Sequence, residues 1–210
     1  MDTKLINILI RTHRRPKGFG RLLDSIESQT YTNYRVIVSV DDELSMNYVK
    51  EYGIVDYVYI NRSKLELWSR CAFKGEPTAV YNMYFNHLLS CVSGGYVYCI
   101  DDDDYFANEN SLQVIADSIE EDTLCIFKMH MSGGNFNIPS ESFGKQITIA
   151  DVGTPCFCAH TKYAKQASWG YTYTADGEYI LALSNIVPNV KWVDKVVCIV
   201  PQSNVGRGEV

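Results

Sequence analysis

Four consecutive carboxylates, Asp101 to Asp104, follow directly on the apolar run Tyr96-Val97-Tyr98-Cys99-Ile100 and are followed in turn by Tyr105-Phe106. Like charges repel, and taking one out of water without a partner is costly, so a fold that holds four beside its core is expected to supply a cation. Mg²⁺ and Mn²⁺ suit such hard oxygen ligands. Alternate residues of an extended segment share a face, which lets Asp101 and Asp103 point together as a D-x-D pair while Asp102 faces elsewhere. The other reading is a solvated acidic turn. The flanks speak against it, because aromatic and β-branched residues enclose the charges on both sides.

A second acidic pair, Asp41-Asp42, also ends an apolar strand-like run, residues 34–40, and a basic cluster of Arg11, His13, Arg14, Arg15, Lys17 and Arg21 follows the first such run, residues 5–10. The elements around these residues alternate. Residues 5–10 read as a strand, the pattern through Leu22, Leu23, Ile26 and Gln29 as a helix, and 34–40 and 57–60 as strands. Helical periodicity over 77–91 ends at Gly94-Gly95, the strand of the acidic run follows, then a helix near 109–119 and a strand at 124–127. This order predicts an α/β fold with a mainly parallel central sheet flanked by helices. Ligands of such sheets bind beyond the carboxyl ends of the strands, where both acidic segments and the basic loop would meet. A ligand joining a metal-bound diphosphate to a nucleoside would satisfy all three. Beyond residue 130 the pattern loosens into irregular strands over 135–149, with a helix near 175–186 and a strand at 192–200 closing the chain.

The chain has 210 residues, 46% of them hydrophobic, enough for one large α/β domain with a real core. No apolar run reaches the roughly 20 residues that span a bilayer, and the first residues lack the layout of a signal peptide, so a cytoplasmic protein is expected. Seven cysteines, most in apolar contexts, read as buried thiols; Cys156-Phe157-Cys158 lacks the spacing of a zinc site. A net charge of −6 argues against nucleic acid as a partner.

At this level of detail the chain resembles the nucleotide-sugar glycosyltransferases of the GT-A fold, most closely the family 2 type. Residues 7–16, Asn-Ile-Leu-Ile-Arg-Thr-His-Arg-Arg-Pro, are similar to the family's opening V-I-P-T-Y-N-R-P, with His13 and Arg14 in place of Tyr and Asn. Residues 22–33, ending Ser28-Gln29-Thr30-Tyr31-Thr32-Asn33, match L-x-S-x-x-x-Q-T-Y-x-N, and residues 38–42 match the following V-V-D-D. Residues 86–104 resemble N-x-G-x-x-x-A-x-G-E-Y-I-x-F-L-D-x-D-D, with Leu88 and Val92 replacing its Gly and Ala, and residues 174–181 resemble the late E-D-x-x-L motif, with Ala175 in place of its first acid. The spelling also resembles a glycosyltransferase domain of a large DNA virus of the chlorella-virus type, as the N-terminal part of a longer polypeptide, acting in host cytoplasm.

The resemblance implies one GT-A domain over 1–210, with a nucleotide-binding half to about 105 and a sugar and acceptor half over about 106–200. It implies a UDP-sugar donor, a glycan or glycoprotein hydroxyl as acceptor, and Mn²⁺ or Mg²⁺. Asp42 would bind the base, with Thr12 and Arg15 nearby; Asp102 would contact the ribose, Asp103 the metal, with Asp101 completing D-x-D. Asp176 would be the base that takes the acceptor proton, with Glu178 in reserve. Structural alternatives are helix caps for Asp42 and Asp176. Asp104 would cap or orient the following turn, and Arg207 could fold over the diphosphate or belong to a linker. His130 and His160 could add a metal ligand or be structural, and Trp68, Trp169 and Tyr171 could stack on a sugar or pack in the core. A nucleotidyltransferase and a catalytically silent sugar-nucleotide-binding module are the competing readings.

Overall fold

The computed structural model describes residues 4–64, 79–201 and 209. Trp68 and Arg207 lie outside the described residues, as do the first two positions of the helical pattern expected over 77–91.

Among the described residues nine strands form one sheet: β1 (Ile6–Arg11), β2 (Tyr34–Val40), β3 (Val55–Tyr59), β4 (Tyr96–Asp101), β5 (Tyr105–Phe106), β6 (Thr123–Met131), β7 (Phe136–Ile138), β8 (Phe157–His160) and β9 (Asn189–Val200). Their order is β3-β2-β1-β4-β8-β6-β9-β5, with β7 on the far part of β6. Strands β1, β2, β3 and β4 pair in parallel, β6 pairs in parallel with β9, and the antiparallel β8 lies between β4 and β6. The expected parallel sheet therefore holds for its main strands, while β5, β7 and β8 run against it. The reversal has a simple cause: β6 pairs one place away from β4, and the chain fills the gap when it returns from the β6–β7 hairpin.

The helices that lie wholly among the described residues are α1 (Pro16–Glu27), α2 (Glu43–Val49), α3 (Tyr84–Ser90), α4 (Ser111–Ser118), α5 (Thr161–Ala164) and α6 (Ala175–Ser184). Pro16 opens α1, where its missing N–H costs no hydrogen bond, and Phe19, Leu22, Leu23 and Ile26 form the buried face. The stretch expected to be helical over 77–91 divides into a 3-10 turn, Val80–Met83, and α3. Helix α2 carries no clear apolar stripe, burying Ser45 and Val49, which hides it from periodicity.

Much of the most recognisable sequence turns out to be scaffold. Gln29 donates to the Ser25 and Asn108 carbonyls and accepts from the Leu112 N–H, tying α1 to the start of α4. Tyr31 reaches the Lys4 carbonyl, and Asn86 holds Trp169 by both its N–H and its carbonyl. Gly95 has φ +80, and a Cβ there would lie 2.5 Å from the Leu5 carbonyl oxygen, so only glycine allows β4 to enter beside β1.

Register decides where the chemistry collects. Arg11 is aligned with Ser39 of β2 and with Asp101 of β4, so β1, β2 and β4 finish at one edge. Strand order reverses there, with β2 on one side of β1 and β4 on the other, and such a switch point opens a crevice in an α/β sheet.

Candidate active site

The crevice is a cavity of about 370 Å³. Arg11, Thr12, His13 and Arg15 from the end of β1, Asp41 from β2, Asp101, Asp102 and Asp103 from β4, and Arg62, Tyr81 and Tyr84 line it. The acidic run is thus at a strand tip and is met by arginines from the neighbouring strand.

Both oxygens of Asp101 are taken by Arg11, at 2.5 and 3.1 Å, and Arg11 also donates to Asn82. Burial works against the Arg11 charge, yet Asp101 raises its pKa above the usual value. Arg15 reaches Asp102 at 2.9 Å and Asp103 at 2.8 Å. Asp102 also accepts from the Thr12 hydroxyl at 2.8 Å and the His13 N–H at 3.3 Å. Burial pushes the Asp102 carboxyl up to about 6 against the pull of Arg15. Asp103 is the more open carboxylate, its side chain 28% exposed against 6% for Asp102, and burial followed by the Asp101 charge raises its pKa. Asp104 is fully enclosed; burial and the three preceding carboxylates push it well above the ordinary range, and its N–H closes a turn onto the Asp101 carbonyl.

The two acids after β2 separate. Asp41 lines the cavity, its oxygens on His13 Nδ1 at 2.6 Å and the Tyr84 hydroxyl at 2.8 Å. Asp42 caps α2: Ser45 N–H donates to one oxygen at 2.7 Å and Arg14 to the other at 2.5 Å. Burial opposes its charge, but the Ser45 N–H and Arg14 hold it down to about 2. The cavity-lining acid of this pair is therefore Asp41, one residue before the position expected, because the extended backbone at Asp42 turns its side chain onto the new helix. His13, Asp41 and Asp42 bring ligand atoms within 4.8 Å of one another, a spacing that could hold a metal ion.

Gly18 lets α1 approach this edge: a Cβ there would stand 2.9 Å from the Asp102 carbonyl oxygen and 3.4 Å from the Asp103 Cα. At the same helix start, the Glu209 carboxylate accepts from the N–H groups of Lys17 at 2.8 Å and Gly18 at 3.2 Å, the anion position of a helix N-terminus.

Asp176 sits in the first turn of α6, after the cap residue Thr174. The Gly177 N–H donates to it at 2.8 Å. Burial lifts its pKa to about 6, with the Gly177 N–H pulling down, Asp101 pushing up and Arg11 pulling down. Asp176 thus feels the charges at the β1–β4 edge from another element. Gly177 allows this placement, since a Cβ would lie 2.3 Å from the Ile149 carbonyl oxygen. Glu178, the reserve candidate, accepts from the Thr172 and Thr174 hydroxyls.

Other candidates stand elsewhere. Trp169 is buried in the core, stacked on Tyr179 with centroids 4.6 Å apart and packed against Phe85; Tyr171 lies beside it in a separate groove of about 850 Å³. His160 caps α5 and meets the edge of Tyr96, and His130 pairs with Asn137. The six cysteines among the described residues carry free thiols. Tyr81 and Tyr84 line the cavity with no sequence signal to mark them, whereas Arg11 and Asp41 belong to the basic cluster and the second acidic pair expected at the strand ends.

No described helix is long and apolar enough to cross a membrane. No protein-family model matches the chain, and no curated protein sequence matches it significantly. Solved structures do. TarS 1-349 of S. aureus in complex with UDP-GlcNAc superposes with a TM-score of 0.71 at 17% identity, over 97% of this chain and 60% of that one. TarS 1-349 in complex with UDP gives 0.71 at 16%, over 93% and 60%. The mannosyltransferase PcManGT of Pyrobaculum calidifontis, in complex with GDP-Man and Mn²⁺, gives 0.67 at 11%, over 96% and 58%. The chain spans about three-fifths of the length of these structures. It has the GT-A-type fold that the sequence motifs led us to expect.

Proposed function

We propose that the protein is a metal-dependent glycosyltransferase that moves a sugar from a nucleoside diphosphate donor, a UDP-sugar in our reading, to a hydroxyl of a glycan or glycoprotein. The observation that carries this reading is the convergence of Arg11, Arg15 and three strand-end carboxylates in one cavity at the switch point of the sheet. Structures of the same fold hold UDP, UDP-GlcNAc, or GDP-Man with Mn²⁺.

In this reading the Asp41 edge receives the base, Asp102 and Thr12 the ribose, and Arg15 the diphosphate. A divalent cation fits best at Asp103, the open hard-oxygen ligand of the run, since Arg11 already takes both oxygens of Asp101. The His13, Asp41 and Asp42 grouping has the size for an ion, but His13, Tyr84, Ser45 and Arg14 already satisfy its oxygens. When bound, the cation neutralises charge developing on the leaving diphosphate. The acceptor oxygen bonds to the anomeric carbon as the bond from that carbon to the phosphate oxygen breaks, and the electron pair leaves with the nucleoside diphosphate. The hydroxyl proton passes to Asp176, whose raised pKa suits a base working near neutral pH. Attack from the side opposite the diphosphate inverts the anomeric centre.

The test is release of nucleoside diphosphate from a panel of UDP- and GDP-sugars, with Mn²⁺ and mixed hydroxyl acceptors. Metal-dependent release from a UDP-sugar supports the reading. No release from any donor, with the donors still bound, would leave a silent binding module.

A further inference from the structure

Two tyrosines between the cavity and α6 have no task in the donor's chemistry. Tyr81, in the 3-10 turn before α3, lines the cavity and remains 39% exposed, with the Arg11 guanidinium 4.7 Å from its ring centroid. Tyr173 is 73% exposed, the largest exposure given for a large hydrophobic side chain among the described residues. An aromatic ring on a loose loop would mean little, but this loop is held on both sides. The Ala79 N–H donates to the Tyr171 carbonyl at 2.7 Å, and the Asn82 side chain donates to the Thr172 carbonyl at 2.7 Å, joining it to the Tyr81 turn. The Thr172 and Thr174 hydroxyls donate to Glu178, joining it to the first turn of α6 and so to Asp176.

We infer that Tyr81 and Tyr173 are the aromatic walls of the acceptor subsite and that they take a pyranose ring, so that the hydroxyl presented to Asp176 belongs to a carbohydrate. This rests on the glycosyl-transfer reading and goes beyond it by choosing the acceptor. The negative face of an aromatic ring attracts the C–H face of a sugar while the hydroxyls at the sugar's edge stay hydrated. A flexible serine peptide offers no flat apolar face to either ring.

Saturation-transfer NMR on the full chain with UDP and Mg²⁺ tests this, using methyl β-D-glucopyranoside, methyl β-D-galactopyranoside and methyl α-D-mannopyranoside as probes, and glycerol 3-phosphate and a serine peptide as controls. At least one pyranoside is expected to receive saturation at its ring C–H protons. Tyr173→Ala should reduce that signal at least fivefold and Tyr173→Phe should keep it, with UDP affinity and melting temperature within error of wild type in both. A pyranoside signal that survives Tyr173→Ala, saturation confined to glycerol 3-phosphate or the peptide, or no pyranoside signal on the wild type would each overturn the inference. Failure of UDP itself to bind, with a tyrosine-dependent pyranoside signal intact, would instead remove the donor reading and leave a sugar subsite.

Discussion

The strand ends that line the cavity and the start of α6 handle charge in different ways. At the ends of β1, β2 and β4 the carboxylates meet side-chain partners: Asp101 meets Arg11, Asp102 and Asp103 meet Arg15, Asp41 meets His13 and Tyr84, and Asp42 meets Arg14. At the start of α6, Asp176 is held by the Gly177 backbone N–H and is pushed by burial and by Asp101 into the range where it exchanges a proton near neutral pH. The first arrangement suits holding a phosphate and a cation in fixed geometry. The second suits a group whose protonation changes during a turnover. In the proposed reading the first is the donor side, electrostatically rigid, and the second the acceptor side, electrostatically poised, as a transfer reaction requires.

The largest expected effect comes from removing the open carboxylate of the rigid side. Asp103→Ala should lower transfer by about 10³-fold while leaving the circular dichroism spectrum unchanged. If transfer stays within a few-fold of wild type, the metal belongs elsewhere.

On the poised side, Asp176→Asn should lower transfer by about 10²-fold or more with donor affinity retained. The wild-type rate should fall as pH drops through about 6, where Asp176 regains its proton. The same group links pH to stability with a definite sign. The folded carboxyl keeps its proton to about 6 and the unfolded one to its ordinary 3.8, so its contribution to stability declines as pH rises through that window. Thermal melts at pH 7 should therefore show Asp176→Asn more stable than wild type, by up to about 3 kcal/mol. A variant that loses both activity and stability would mark Asp176 as structural.

Asp41 and Asp42 sharpen the comparison within the donor side. Asp41→Asn should weaken UDP binding in calorimetry more than Asp42→Asn does. Asp42→Ala should instead cost about 1 kcal/mol in a urea melt through the lost α2 cap. The reverse order would restore Asp42 as the reader of the base.

The smallest effect in activity should come from Gly177→Ala. Its Cβ would meet the Ile149 carbonyl oxygen at 2.3 Å, so α6 must shift, at a cost of about 1–3 kcal/mol. Melting temperature should fall, and KM for the acceptor should rise more than KM for the donor.

The contrast between the two sides also explains what the sequence revealed. Strand β4 announced itself because five buried residues run straight into four acids, as β2 did by running into two acids and β1 by running into a basic loop. Their shared edge followed from the parallel pattern, and the register came from the structure. What was not legible depended on contacts between distant segments. Asp42 caps a helix whose few buried residues give no periodic signal, so the choice between Asp41 and Asp42 could not be read from two adjacent identical letters. The proposed acceptor side was hardest, because the loop carrying Tyr173 is placed by hydrogen bonds to the turn at Val80–Met83 and to Glu178, across stretches with no periodicity. For Trp169 the sequence left a sugar platform and the core both open, since an aromatic beside glycine in an irregular stretch fits either, and here it fills the core.

The measurement that bears most directly on the central claim is a thermal-shift comparison of wild type and Asp103→Ala with UDP-sugars, each with and without Mn²⁺. Ligand binding to the folded state alone raises the melting temperature. The account predicts a rise for wild type with at least one UDP-sugar that requires Mn²⁺ and is absent in Asp103→Ala. An equal rise in both proteins, or a rise indifferent to the metal, would contradict it.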